Sequence, residues 1–147
     1  LADYYLWNAL YKEALQVSLE ELSINPYSSA AKKRIGRIYI QLRDAANGMP
    51  YLHEAVKALP DDADVHTDLA RGYELLEEWE KAIEEYKKGL ALDPELNRIH
   101  YVLARIYRSR GRPDLARHAL SPAGAGVRRP GIPMHSKDFP LGDKHAR

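Results

Sequence analysis

Apolar residues recur along one part of this chain at the spacing of an α-helix. Two apolar stripes follow one another there. The first comprises Val65, Leu69, Tyr73 and Leu76, and the second comprises Ala82, Ile83, Tyr86 and Leu90. The short polar stretch Glu77-Glu78-Trp79 separates the two stripes, and Pro94 follows the second. Because proline disfavours helical conformation in the residue before it, the second stripe ends there. The pattern predicts two antiparallel helices joined by a short turn.

The same pattern returns every 34 residues. Apolar, small and aromatic positions recur together in the segments Leu1-Ala2-x-x-Tyr5, Ile35-Gly36-x-x-Tyr39, Leu69-Ala70-x-x-Tyr73 and Leu103-Ala104-x-x-Tyr107. A proline column and a small-residue column keep the same period: Pro26, Pro60 and Pro94, and Ala14, Gly48, Ala82 and Ala116. One helix pair cannot bury both of its faces, so pairs must stack. The predicted fold class is all-α, a superhelical stack of helix–turn–helix repeats without strands.

The repeat resembles the tetratricopeptide repeat. The segment from Ala63 to Leu96 carries the family's residue types at eight positions: Leu69, Ala70, Tyr73, Trp79, Ala82, Tyr86, Leu90 and Pro94. The segments that begin at Ser29 and Asn97 match in part, and the resemblance covers about residues 1 to 121. It implies a superhelical scaffold that binds other proteins, and it implies no catalytic activity.

The repeat register divides the chain into five parts. These are a partial repeat over 1–28, full repeats over 29–62 and 63–96, a repeat over 97–121 whose second helix is cut short, and a tail over 122–147. The tail is rich in proline and glycine, so we expect disorder. The alternative is that it folds back along the helices through Ile132, Met134 and Phe139. We also expect Asn47-Gly48 to form a turn, with a loop over 43–48 and a helix starting near Met49.

The bulk composition excludes several function classes. The net charge is +1, so the sequence predicts no binding to nucleic acid. No apolar run is long enough for membrane insertion, and the absence of cysteine excludes thiol chemistry and disulfides. A chain without cysteine suits the cytoplasm and the periplasm equally, so localisation stays open. Since the chain begins at Leu1 with no leader pattern, we expect a fragment of a longer protein.

No catalytic or metal-binding constellation emerges from the sequence, and no cofactor is expected. His66 and His100 occupy equivalent positions of adjacent repeats. Neighbouring helices lie roughly 10 Å apart, too far for both histidines to hold one metal ion. The acidic residues between Glu74 and Glu85 alternate with lysines, which is typical of a solvated helix face. The sequence therefore predicts a binding protein and not an enzyme.

One column of cations is the candidate site for a partner. The resemblance implies that the first helix of each repeat lines the concave surface, and Arg37, Arg71 and Arg105 share one position on these helices. Lys33, Arg98 and Arg108 lie at other positions of the same surface. Arginine suits bidentate capture of carboxylates, so we expect an acidic protein segment or a chain-terminal carboxylate as the partner. The alternative is a solvated face that only keeps the surface soluble.

Local charges indicate which arginines are free to bind. Asp68 and Glu74 lie three residues either side of Arg71 on its own helix. Arg105 has no acid at that spacing, and Arg37 has only Asp3 from another repeat. We therefore expect the two ends of the column to be unneutralised and to receive the partner.

Two other functions stay open. The chain could be the docking region of a larger enzyme whose catalytic domain lies elsewhere. It could also self-associate through open repeat ends near Leu1 and Leu120, because exposed apolar faces favour pairing.

Overall fold

The computed structural model describes residues 10–121, and in this range it contains seven α-helices and no strand. The all-α fold class is confirmed. The helices are α1 (Tyr11–Ile24), α2 (Ser29–Gln41), α3 (Ala45–Ala58), α4 (Ala63–Leu75), α5 (Trp79–Leu92), α6 (Asn97–Ser109) and α7 (Pro113–Leu120). None of these helices is long and apolar enough to cross a membrane. The expectations for Asp3, the first column segment and the tail after Ser121 fall outside the described residues.

Capping side chains mark the start of α2 and α4, each the first helix of its repeat. The Ser28 hydroxyl accepts a hydrogen bond from the Ala31 amide at the start of α2. The Asp62 carboxylate accepts from the amides of Asp64 and Val65 at the start of α4. Both side chains satisfy amides that have no partner within the helix. The two caps lie one repeat apart, so corresponding helices begin in register.

Successive helix pairs share a continuous core. One buried cluster joins α2, α3 and α4 and includes Leu52, Val65 and Leu69. A second joins α4 to α7 and includes Ala82 and Tyr86. The partly buried Tyr73 packs against both clusters, as expected for the tyrosine column. The chain thus buries apolar surface between repeats as well as within them.

The small-residue column marks where paired helices cross closely. Ala14 and Ala82 are 0% exposed. At Gly48, a Cβ atom would lie 2.9 Å from the Tyr39 Cβ and 3.1 Å from the Gly36 carbonyl oxygen. Any larger residue would push α2 and α3 apart at that point.

The expected loop over 43–48 was wrong. Helix α3 begins at Ala45, includes Asn47-Gly48 and contains Pro50 within its length. The Asp44 carboxylate accepts a hydrogen bond from the Asn47 amide and caps this earlier start. Contact between α3 and α2 at Gly48 therefore overrides the turn preference of the Asn-Gly pair, and the sequence window alone could not reveal this contact.

The turn within each of the three repeats that begin at residues 29, 63 and 97 places one residue in the left-handed region, and this position predicts a stabilising substitution. The three residues are Arg43 (φ 61°), Glu77 (φ 58°) and Gly111 (φ 70°), again one repeat apart. Only the last is glycine, which adopts this conformation without strain. We expect Glu77→Gly to raise the free energy of unfolding by about 0.5–1 kcal/mol in urea denaturation. Gly111→Ala should lower it, and a stabilising Gly111→Ala would contradict this account.

Candidate functional site

A cleft of about 930 Å³ opens between α4 and α6. Part of its wall is formed by α5 through Trp79 and Tyr86. The other apolar residues that line it are Ile40, Leu75, Leu96, Ile99 and Val102. Helix α2 packs directly against α4, whereas the cleft separates α4 from α6. The two junctions between first helices therefore differ.

The closed junction between α2 and α4 is held by complementary charges. Lys33 Nζ lies 2.7 Å from a carboxylate oxygen of Asp62 and 3.5 Å from one of Asp64. Arg37 Nε donates to Asp68 at 2.8 Å, and an Nη of Arg37 lies 3.5 Å from Asp64. Two cations of α2 thus pair with three acids of the next repeat. Asp62 directly precedes α4, and Asp64 and Asp68 lie on it.

Asp68 is the buried member of this group, with 4% of its surface exposed. Burial raises the pKa of the Asp68 carboxyl, and the charge and hydrogen bond of Arg37 partly oppose that rise. Arg37 therefore favours the ionised form of this buried carboxyl.

The open junction between α4 and α6 lacks the matching acids. One repeat further along, the positions of Asp62, Asp64 and Asp68 are held by Leu96, Arg98 and Val102. An arginine thus replaces one acid, and apolar residues replace the other two. The same shift places Thr67 at the position of Lys33 and Arg71 at that of Arg37. Positive charge on α4 consequently has no acid facing it from α6.

Arg71 shows the result of this change. Its guanidinium donates a hydrogen bond of 3.3 Å to the side-chain oxygen of Gln41, and it forms no ion pair with a carboxylate within residues 10–121. Asp68, which lies one turn before Arg71, pairs with Arg37 instead. The half-buried Arg71 therefore lines the cleft with a guanidinium that hydrogen-bonds only a neutral amide among the described residues, although its charge also acts on Asp68.

Glu74 spans the cleft from its α4 side. One carboxylate oxygen lies 2.6 Å from an Nη of Arg105, and the other accepts a hydrogen bond of 3.0 Å from the Tyr86 hydroxyl. Burial of Tyr86, together with the nearby Glu74 charge, raises the pKa of this hydroxyl, which therefore remains a donor. Both carboxylate oxygens of Glu74 are thus occupied by internal donors.

The charge distribution along the arginine column is the reverse of the expected one. The ends, Arg37 and Arg105, are paired with Asp68 and Glu74 of the middle repeat, because stacked first helices bring residues of neighbouring repeats together. The central Arg71 is the column member without a carboxylate partner among residues 10–121. The assumption of neutralisation along one helix was wrong.

The remaining candidate residues divide between the two junctions. Lys33 belongs to the closed junction. Arg98 and Arg108 are exposed on α6, and their side chains form no ion pair in the described part of the chain. Arg98 lines the cleft and Arg108 does not. Sequence reasoning missed Val102, although its alignment with Asp68 one repeat earlier could have shown the missing acid.

The histidines that the structure describes are not arranged as a metal site. His66 Nδ1 lies 2.6 Å from a Glu85 carboxylate oxygen, and its Nε2 lies 2.7 Å from the Pro60 carbonyl oxygen. The other column member, His100, is buried. Among residues 10–121, no group of three or more histidine, aspartate or glutamate side chains is arranged to hold a metal ion.

Repeated helix pairs that share a core and leave an open cleft define a helical-repeat scaffold. Comparison with known proteins gives its type: residues 63–96 match the family profile of the tetratricopeptide repeat. The chain thus carries a tetratricopeptide repeat and has the fold of proteins built from such repeats, which confirms the resemblance seen in the sequence. Repeats of this type support a general role in binding other proteins. No match was found among curated proteins.

Solved structures similar to this chain include several of MamA. The structure of MamA 41-end from Desulfovibrio magneticus RS-1 is 25% identical with a TM-score of 0.75, and the match covers 80% of this chain and 67% of that one. The structure named MamA MSR-1 C2 is 20% identical with a TM-score of 0.71, and the match covers 84% of this chain and 71% of that one. This chain therefore spans about two thirds of their length.

Proposed function

We propose that this chain binds an acidic segment of a partner protein in the cleft between α4 and α6, and that it acts by binding and not by catalysis. The observation that carries the proposal is Arg71, a half-buried guanidinium whose only hydrogen-bonded partner among the described residues is the amide of Gln41. A half-buried cation that no carboxylate hydrogen-bonds favours an incoming carboxylate.

The other charges around the cleft support this choice of partner. Asp64 is already paired with Lys33 and Arg37, and Glu74 is paired with Arg105. The lining cations without an ion pair in residues 10–121 are Arg43, Arg71 and Arg98, against the exposed acids Glu77 and Glu95. Of these five residues, only Arg71 is shielded from solvent enough to contribute strongly.

Of the six candidate cations, three line the cleft and remain in this proposal: Arg71, Arg98 and Arg105. Arg108 lies on α6 outside the cleft lining. Lys33 and Arg37 are assigned to holding α2 against α4, because their charges already meet three aspartates there. A partner that bound to them would have to separate charge pairs of a packed junction, which costs more than contact with an unpaired arginine.

The direct test is the affinity of the chain for a short fluorescein-labelled peptide in which a leucine is flanked by aspartates and glutamates. Fluorescence anisotropy should show saturable binding that weakens as salt is added. Arg71→Gln should reduce the affinity about tenfold, the effect of losing one hydrogen bond to a charged group. Arg117→Gln is the matched control, because Arg117 is an exposed arginine of α7 paired with Asp114 on its own helix.

A second variant tests the proposal by supplying the missing acid. Val102 occupies the position on α6 that Asp68 occupies on α4. In Val102→Asp, Arg71 should acquire the kind of partner that Arg37 has, and the acidic peptide should lose affinity although Arg71 is unchanged. Equal peptide affinity in the wild type, Arg71→Gln and Val102→Asp would contradict the proposed function.

A further inference from the structure

One ion pair joins the two helices that face each other across the cleft. Within residues 10–121, the contact of Glu74 with Arg105 at 2.6 Å is the only ion pair or side-chain hydrogen bond between α4 and α6. The α2–α4 junction, by comparison, has four ion-paired contacts. Each joins Lys33 or Arg37 of α2 to an aspartate on α4 or directly before it. A single ion pair thus connects α4 and α6 across the cleft, whereas several connect α2 and α4 at the closed junction.

This link is easily exchanged. The Arg105 side chain is 64% exposed, so a carboxylate from solvent can reach it without entering the core. Glu74, with a side chain that is 17% exposed, would keep the hydrogen bond from Tyr86 if it lost Arg105. Releasing the pair therefore leaves neither charge buried and alone, which is the situation that makes the loss of an ion pair costly.

We infer that Glu74 is an internal occupant of the partner site, and that a carboxylate of the bound segment replaces it on Arg105 while a neighbouring apolar side chain of the segment enters the cleft. The inference rests on the proposed function. It adds that Glu74 occupies Arg105 as long as no partner is bound. The protein's own glutamate and the partner's acid compete for one arginine, so the cost of breaking the Glu74–Arg105 pair lowers the affinity for any acidic partner.

The apolar part of the ligand follows from the wall of the cleft. Trp79 and Val102 are only partly buried, and both line the cleft beside Leu96. A purely acidic segment would leave this apolar surface in water, whereas a leucine or phenylalanine next to the acid would cover it. A segment with both features is the occupant whose charge and apolar surface complement those of the cleft.

The experiment compares two glutamates of the same cleft. Both Glu74→Gln and Glu77→Gln remove one negative charge from the lining, but only the first frees Arg105, because Glu77 forms no ion pair in the described residues. The probe is the same labelled peptide of acids around a leucine, together with a matched peptide in which serine replaces the leucine. We expect Glu74→Gln to bind the leucine peptide about fivefold more tightly than Glu77→Gln does.

Two further measurements complete the design. Arg105→Gln should weaken binding of the leucine peptide, and adding Glu74→Gln to it should recover none of the lost affinity. The serine peptide should bind every variant more weakly than the leucine peptide. Thermal unfolding of each variant verifies that the helix stack is intact. We expect the isosteric change Glu74→Gln to leave the unfolding temperature nearly unchanged.

The outcomes separate this inference from the proposed function. If the wild type binds the peptide but Glu74→Gln and Glu77→Gln have equal affinity, Glu74 is no competitor and the inference fails while the proposed function stands. If the wild type does not bind but Glu74→Gln does, internal occupation by Glu74 is supported. If no variant binds either peptide, both fail, and equal affinity for the two peptides overturns the apolar part.

Discussion

Replacing Arg37 with methionine should lower the free energy of unfolding by about 3 kcal/mol at neutral pH, because it leaves the buried Asp68 carboxylate without its partner. The hydrogen bond from Arg37 Nε to Asp68 is 2.8 Å long, and the Asp68 side chain is only 6% exposed. We take the lower end of the usual range because the Arg37 side chain is itself 31% exposed. Urea denaturation of the chain at neutral pH provides the measurement.

The pH dependence of this effect has a definite sign. Burial holds the pKa of Asp68 above its ordinary value, and the loss of Arg37 raises this pKa further. A carboxyl whose pKa is higher in the folded state contributes stability that is present below its unfolded pKa and is lost as pH rises through its folded pKa. The cost of Arg37→Met should therefore shrink as pH falls through the raised folded-state pKa of Asp68, because the protonated carboxyl no longer needs a cation beside it.

Two controls isolate the buried charge. Lys57→Met removes an exposed cation that is paired with Glu54 on its own helix, and it should change stability little. Combining Arg37→Met with Asp68→Leu should restore most of the lost stability, since an apolar pair of similar volume can replace a buried ion pair. If the single Arg37 variant is as stable as the Lys57 variant at neutral pH, the assignment of Arg37 to the closed junction is wrong.

This prediction affects how binding experiments are interpreted. A variant of Arg37 that lost partner affinity would report a loosened stack as readily as a lost contact. Arg71 lacks that difficulty, because its only described hydrogen bond is to the neutral Gln41. Position in the arginine column therefore does not determine the role of a residue; the charges on the next helix do.

The fold could be predicted from the sequence because it depends on columns that repeat. Tyr73 belongs to a tyrosine column and Ala82 to a small-residue column, and each column repeats every 34 residues. Both residues pack between helices, as the period requires. Periodic burial is a local property of each helix, so a pattern of apolar positions predicts it. The predicted start of α3 was wrong because the helix start depends on a contact between two helices and not on a local pattern. Gly48 is helical and packs against α2.

The candidate site was predicted only in part. The column of arginines is visible in the sequence, but its charge balance depends on partners about one repeat away, such as Asp68 for Arg37 and Glu74 for Arg105. Those pairs appear only once first helices are placed side by side. The replacement of the aspartate by Val102 one repeat later is visible in the repeat columns, and it leaves α6 without an acid at this position of the cleft.

Replacing Tyr86 with alanine should lower the free energy of unfolding by about 3–5 kcal/mol, the usual cost of truncating a buried aromatic side chain. Tyr86 is 1% exposed and belongs to the cluster that joins α4 to α7. Its ring packs between helices, while its hydroxyl donates to Glu74 at 3.0 Å. Tyr86→Phe keeps the ring and loses only the hydroxyl, so it should cost about 1 kcal/mol. Thermal and urea unfolding of the two variants therefore separate packing from hydrogen bonding. Equal losses in both variants would show that the hydroxyl, and not the ring, stabilises this part of the stack.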